Sequence, residues 1–341
     1  MGQLNLNAAG NVIDPIEIGG HHFVLRYLQE SDQDAFIQLH RTVFGSTFNA
    51  DWYHWKYRQR TAPALGLWST AGELIAHCAG LPRMLYLHSK PHTGLQIGDV
   101  MVDPKWRAMF TRKGPFYWVS SHFYQDQIGA KAPHQIAYGF PSVRHLRLAQ
   151  KLDLSADGGQ MWELTWPNKA TTMPFYWQSQ GLATQSSLWE NMLTQAWQNM
   201  QVQNQKWWWA ERSVQELQWR YREHPSHTHA YQVLKRPWSN RIIGVAIWRY
   251  TDVAQQDILW LDWIGSPQYI QTAQRMMAKL AHQKNARLRT WVSEPLYHLL
   301  ENTGCTATHV AHLGIPTRST IELNSVKEQP WWWMAGDTDF L

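Results

Sequence analysis

The stretch GDVMVDPKWRAMFTRKGPFYW, residues 98–118, reads as an apolar strand, a polar hinge and the first turn of a helix. Gly114 followed by Pro115 is a start signal, because proline is pre-set for the first helical turn and its missing N–H costs nothing there. The free amides of such a turn, with the positive end of the helix dipole behind them, form an anion seat. Arg107, Arg112 and Lys113 surround it with fixed positive charge. A pyrophosphate matches that arrangement, and so does an ordinary solvated basic loop; the context decides between them.

Outward from this junction, apolar periodicity predicts strands at about 21–27, 64–70, 73–80, 83–88, 95–103 and 134–140, and helices at about 32–44, 50–59, 114–128 and 142–152. Asp32 is placed to cap the first helix and Ser142 the last, the latter after Pro141 closes the strand. Antiparallel strands early and strand, helix, strand, helix late imply an α/β (α+β) mixed sheet with helices on both faces.

The pattern recurs. HWKYRQRTAP from His54 is matched by QWRYREHPSH from Gln218, GELIAHCAGL (72–81) by RIIGVAIWRY (241–250), and GDVMVDP from Gly98 by LDWIGSP from Leu261. The last pair keeps Asp99 against Asp262 and Pro104 against Pro267. A nearly constant offset implies two copies of one domain. The expected organisation is a first domain at 1–165, a linker at 166–185 around the proline-broken TWPNKATTMP, and a second domain at 186–341 opening with a helix near Leu188.

Composition narrows the class. The chain has 341 residues, 44% hydrophobic and 17% charged, with no apolar run long enough for a membrane span. A net charge of +5 without a Lys/Arg block argues against nucleic acid and suits an anionic small ligand. The start, MGQLNLNAAGNV, lacks a secretory pattern, and the two cysteines, Cys78 and Cys305, have neither zinc nor disulfide spacing. These features point to a cytoplasmic, bacterial-type protein without a metal. HPSHTH (224–229) follows the QWRYR helix across Pro225 and reads as a polar turn. The 22 tryptophans, with triplets at 207–209 and 331–333, suit buried domain seams and also a ligand platform.

The junction at 98–118 resembles the acyl-CoA site of the GNAT N-acyltransferase superfamily, and AYGFPSVRHLRLAQKLDL from Ala137 looks like that family's closing strand and helix. With the repeat, the whole chain is similar to tandem-domain bacterial members, whose ends often resemble AGDTDFL. The resemblance implies a GNAT-like fold in two copies. Acetyl-CoA or another acyl-CoA would sit between the strands at 95–103 and 134–140, its pyrophosphate on the loop before Gly114. Met101, Val102, Arg107, Arg112, Lys113, Gly114 and Ser142 are the implied coenzyme contacts. The loop departs from the family's Gln/Arg-x-x-Gly-x-Gly/Ala pattern, and spacing from Ser142 brings the family's acid tyrosine onto Ala149. GSPQYIQTAQRMM in the second copy lacks the glycine and implies no coenzyme there.

Acyl transfer to an amine needs a base, a polarised carbonyl and a place for the thiolate. Backbone amides at Met101 and Val102 would polarise the carbonyl. Asp99, an acid in an apolar strand, is the expected base with a raised pKa, or else a structural carboxylate, as its counterpart Asp262 suggests. Tyr138 or Tyr117 would replace the missing acid. Asp337, Asp339 and the chain end offer carboxylates near the acceptor. The expected function is an acyl-CoA-dependent N-acyltransferase acting on a small-molecule amine in the interdomain cleft. The alternatives are a donor carried by an acyl carrier protein, a non-catalytic ligand-binding protein of the same fold, and a glycan-binding module built on tryptophan.

Overall fold

The computed structural model describes residues 12–338 apart from 46, 108, 110–112, 184–187, 237, 239–240, 252–255 and 321–328. The described residues begin with a hairpin of β1 (Val12–Ile18) and β2 (His21–Tyr27), turned by Gly19 and Gly20. Both glycines have positive φ, 57° and 80°, as a two-residue turn matched to strand twist requires.

The first half continues with β3 (Ala64–Ser69), β4 (Leu74–Leu87), β5 (Lys90–Val102) and β6 (Ile136–Tyr138). Neighbours in this sheet follow that order from β1 to β6, and only β5 and β6 run parallel among these six. Helix α1 (Gln33–Phe44) ends at Gly45 with φ of 66°, and α2 (Ala50–Tyr53) is capped by Asn49. Helix α3 (Pro115–Gln127) crosses from β5 to β6, and α4 (Val143–Lys151) follows β6. The strands expected at 73–80 and 83–88 are one continuous strand: Pro82 falls between the part of β4 that pairs β3 and the part that pairs β9, where that side has no ladder partner among the described residues. Asp32 does not cap α1; its carboxylate pairs with Arg26 at 2.5 Å and accepts the Gln29 amide.

The remaining strands are β7 (Ser155–Trp166), β8 (Gln178–Leu182), β9 (Trp208–Ala210), β10 (Ala230–Lys235), β11 (Ile242–Tyr250), β12 (Asp257–Gly265), β13 (Arg287–Ser293), β14 (Thr306–Pro316) and β15 (Trp331–Trp332). Helices α5 (Leu188–Gln203), α6 (Val214–Leu217), α7 (Ile270–Gln283) and α8 (Glu294–Leu300) complete the second half. Its sheet has the order β14-β7-β13-β12-β11-β10-β8, again mixed. Three strands cross between the halves. β7, inside the stretch read as the first domain, pairs β13 and β14 of the second sheet, while β9 and β15 join the first sheet through β4. Part of the stretch read as linker forms β8, which pairs β10.

The crossing explains the tryptophans. Trp208, Trp209, Trp331, Trp332 and Trp333 are all buried, with Trp208 stacked on Trp331 at 5.3 Å and Trp333 on Tyr138 at 4.4 Å. Each indole removes about 150–250 Å² from water, so the two triplets weld the halves together. Among the described residues no helix is long and apolar enough to cross a membrane.

Candidate functional site

Strands β5 and β6 pair over only three residues, Gly94 with Ile136, Leu95 with Ala137 and Gln96 with Tyr138. Beyond that point β5 runs on beside β4, whereas Gly139 exchanges two backbone bonds of 2.9 Å with Gly314 of β14. The parallel pair therefore parts, and one edge of β5 from Ile97 to Val102 has no ladder partner among the described residues.

A bulge shapes this edge. The β4–β5 register slips between His77–Met101 and Ala79–Gly98, and Asp99 takes the left-handed conformation with φ of 48°. The Asp103 amide donates to Ile75, so by antiparallel alternation Met101 bonds toward β4 and Val102 turns its amide and carbonyl to the gap. Met101 is thus corrected as an amide donor: its side chain is buried toward α1 and its backbone belongs to the ladder. The Val102 carbonyl accepts from Arg107 Nε at 2.9 Å.

Gly114 is the N-cap of α3, with Pro115 at the first position and no side-chain cap, so the amides of that turn are open to a ligand. Lys113 is exposed and lies 4.8 Å over the Tyr117 ring. Arg112 lies outside the described residues. Ser142 caps α4 by accepting the His145 amide at 3.4 Å. A cavity of about 550 Å³ runs along α3, lined by Lys113, Tyr117, Tyr124, Lys151 and Arg318 among others. It adjoins the basic turn and lacks the acidic bulge residue, so it suits the nucleotide end of a ligand better than the reacting end.

Asp99 is not a base with a raised pKa. Its carboxylate is held by Lys56 Nζ at 2.8 Å, by the Tyr57 hydroxyl and by His40 Nε2 at 3.5 Å. Burial opposes ionisation, yet the Lys56 charge and the His40 and Lys56 hydrogen bonds overcome it and hold the carboxyl below its ordinary range. Next to it His77, whose Nδ1 contacts the Asp99 carbonyl at 2.7 Å, is held down to about 4 mainly by burial. Tyr138 is corrected too: the ring is buried against Trp333 and the hydroxyl faces Gln96 at 3.4 Å, on the seam side and apart from Asp99. Ala149, where the family tyrosine was expected, is a core residue.

His40, Lys56, Tyr57 and His77 were missed as site residues. The repeat carried the signal for two of them: Lys-Tyr of HWKYR matches Arg-Tyr of QWRYR as Asp99 matches Asp262. Each motif forms a π-helical turn continuing a capped short helix, a device frequent at functional sites. In the second half the Tyr221 hydroxyl reaches Asp262 at 3.2 Å, and β12 bulges at the same point. The electrostatics diverge: burial raises the Asp262 pKa, Arg212 opposes it, and the nearby Asp337 adds to the rise.

The second gap is filled. β12 and β13 pair from Asp257–Arg287 to Leu259–Arg289 and then part. Into the opening come residues 331–338: Val292 bridges Met334, the Ser293 amide donates to the Trp333 carbonyl at 3.0 Å, and Gly336 lies against the Leu261 carbonyl. Residues 331–338 thus occupy in the second half the place that, among the described residues, has no ladder partner in the first.

Residues 24–142, from β2 through the basic turn, α3 and β6, match the family model of the acetyltransferase (GNAT) domain. This segment is similar to a GNAT domain. Solved structures extend the likeness across most of the chain. A conserved protein of unknown function from Enterococcus faecalis V583, titled a probable N-acyltransferase, is 11% identical with a TM-score of 0.66, over 87% of this chain and 73% of that one. The GCN5-related N-acetyltransferase from Anabaena variabilis is 12% identical with a TM-score of 0.62, over 85% and 72%. Saccharomyces cerevisiae N-myristoyltransferase, solved with bound myristoyl-CoA and inhibitors, is 10% identical with a TM-score of 0.54, over 90% and 84%. At these identities the likeness is one of fold. No curated protein sequence matches the chain.

Where the first half meets the second, the two motif helices face each other through reciprocal contacts. Trp55 and Trp219 stack at 4.8 Å, and each indole N–H donates to the other's carbonyl, at 2.8 and 3.0 Å. Beside the stack a cleft of about 50 Å³ is lined by Trp52, Trp55, Lys56, Trp219, Arg220, His224, His229 and Thr338, among others. Lys56 thus reaches from the cleft to the bulge. The cleft imidazoles are neutral at neutral pH: His224 is held down to about 3 and His229 to about 4, burial being the main cause in both.

Proposed function

We propose that the protein is an acyl-CoA-dependent N-acyltransferase, with the thioester in the gap of the GNAT domain and a small-molecule amine in the interdomain cleft. The observation that carries the reading is the unladdered edge of β5 beside an open, basic helix start. A pantetheine arm, with its own amides, is a fitting partner for the outward amide and carbonyl of Val102. Lys113, Arg107, Arg112 and the α3 amides at Gly114 would take the pyrophosphate, with Ser142 at the start of the facing helix. Bound there, acyl-CoA supplies an activated acyl group and a thiolate leaving group.

The chain's own groups act by placement. Val102 N–H is aimed where a carbonyl oxygen can be polarised, and the bulge that aims it is pinned by Asp99 through Lys56, Tyr57 and His40. Asp99 is therefore a positioning residue. His224 and His229 titrate too low to be efficient bases near pH 7, so the amine enters as its free base. The second half supplies the far wall of the cleft and, with its gap filled, binds no coenzyme.

Calorimetry with acetyl-CoA and longer acyl-CoAs should give one site per chain, and thiol release in the presence of an amine panel should follow the free-amine fraction, rising with pH toward each amine's own pKa. Absence of heat with every acyl-CoA tried would remove the reading. Binding without thiol release would favour a ligand-binding protein of the same fold, and heat only with an acylated carrier protein would favour the carrier-borne donor.

A further inference from the structure

Among the described residues, the interdomain cleft holds a buried charge that is only partly answered. Arg60, Arg83, Arg212 and Arg220 are joined through Glu216, Asp337 and Asp262 by ion pairs of 2.5–3.5 Å, so among the described residues four guanidiniums meet three carboxylates. Glu216 serves three of them: Arg60 at 2.8 Å, Arg83 at 3.1 Å and Arg220 at 3.5 Å. Arg220 comes off worst. Its side chain is only 8% exposed, its Nη1 donates to the Gly336 carbonyl at 2.7 Å, and its Nε and Nη2 make no hydrogen bond. A buried guanidinium with two idle donors is costly unless something anionic meets it.

Arg220 lines the cleft together with Lys56 and the Trp55–Trp219 stack. Lys56 is neutralised by Asp99, whereas Arg220 is left with a share of one crowded carboxylate. The nearby imidazoles offer no negative charge. The space, about 50 Å³, holds a few water-sized groups at roughly 10–15 Å³ each. A carboxylate fits that volume, and a sugar ring does not.

We propose that Arg220 is the specificity residue of the acceptor site and that the acceptor is an amine that also bears a carboxylate, such as an amino acid or a compound ending in one. The proposal rests on the reading of this cleft as the acceptor pocket. The carboxylate would take the idle Nε and Nη2 donors in the planar, paired manner suited to arginine, and the amine would lie on the Lys56 side, toward the bulge of the GNAT domain.

The test titrates the full-length protein, with coenzyme A present, against glycine, alanine, β-alanine and phenylalanine, each paired with its carboxamide, following the fluorescence of the cleft tryptophans. At least one acid should bind about tenfold or more tightly than its amide, the preference should vanish in Arg220→Gln, and Arg220→Lys should restore part of it. Thermal melting of both variants controls for folding. Equal affinity of acid and amide throughout the panel overturns the proposal, as does a preference that survives Arg220→Gln. Thiol release from acetyl-CoA is read separately: acid-selective binding without release keeps the anion site and removes the transferase reading, while release without acid preference does the reverse.

Discussion

Replacement of Asp99 by alanine tests the central claim about the bulge. In the native protein the Asp99 and Lys56 side chains are 9% and 4% exposed and 2.8 Å apart, and Tyr57 and His40 share the carboxylate. Removing one partner of such a pair leaves a buried ammonium without a counter-charge, which costs about 3–5 kcal/mol. That is a large part of the roughly 5–15 kcal/mol that separates a folded domain from its unfolded chain. The expected result is a melting temperature lower by on the order of 5–15 °C, read by circular dichroism. The double variant Asp99→Leu/Lys56→Met should recover most of the loss, because it removes the stranded charge. Asp99→Asn should keep much of the bulge geometry and lower thiol release mildly. If Asp99→Ala melts within about 1 kcal/mol of the parent, or if Asn costs several orders of magnitude in turnover at unchanged stability, the carboxylate is catalytic and not a pin. The sign of its pH dependence follows from a depressed folded pKa: its contribution is complete above the ordinary carboxylate value and is lost as pH falls below about 4.

Lys113→Glu should weaken coenzyme A binding about tenfold, more at low salt than at high, with little change in turnover at saturation; calorimetry at two ionic strengths checks this. In Gly336→Ala the new Cβ would collide with the Tyr221 hydroxyl, so the tail must shift. A loss of about 1–3 kcal/mol and an altered near-ultraviolet spectrum from the seam tryptophans are expected. His77, His224 and His229 all have folded pKa values below the ordinary imidazole value, so stability present above about pH 6.5 should decline as pH falls toward 4. A His77→Gln variant should show a shallower decline, and a flat melting profile across that range in the parent would contradict the buried neutral imidazoles.

Much of this molecule was legible in its amino-acid order because the relevant signals are local. Alternation of apolar residues placed most strands of the first half, Gly114-Pro115 marked the start of α3, Ser142 capped α4, and the spaced echo of HWKYR and GDVMVDP in QWRYR and LDWIGSP identified two related halves. Capping, turn chemistry and periodicity act over a few residues, so they survive being read without coordinates. The positions of the basic turn and of the strands on either side of it were read by the same means, whereas the parting of those strands was implied only by the resemblance to the GNAT superfamily.

What the fold alone decided are events between residues far apart in the chain. That β7 leaves the first sheet for the second, that residues 331–338 fill one gap while its counterpart has no ladder partner among the described residues, and that Asp99 is held ionised by Lys56 and His40 while burial keeps Asp262 inclined toward its proton are all set by long-range packing. An aspartate in an apolar strand carries one local pattern, but its pKa is the balance of burial against whichever charges the tertiary structure brings within a few ångströms. The same holds for Arg220: a basic residue in a helix motif reads as surface charge, and only the closure of two halves around it turns it into a buried cation that shares Glu216 with two other arginines.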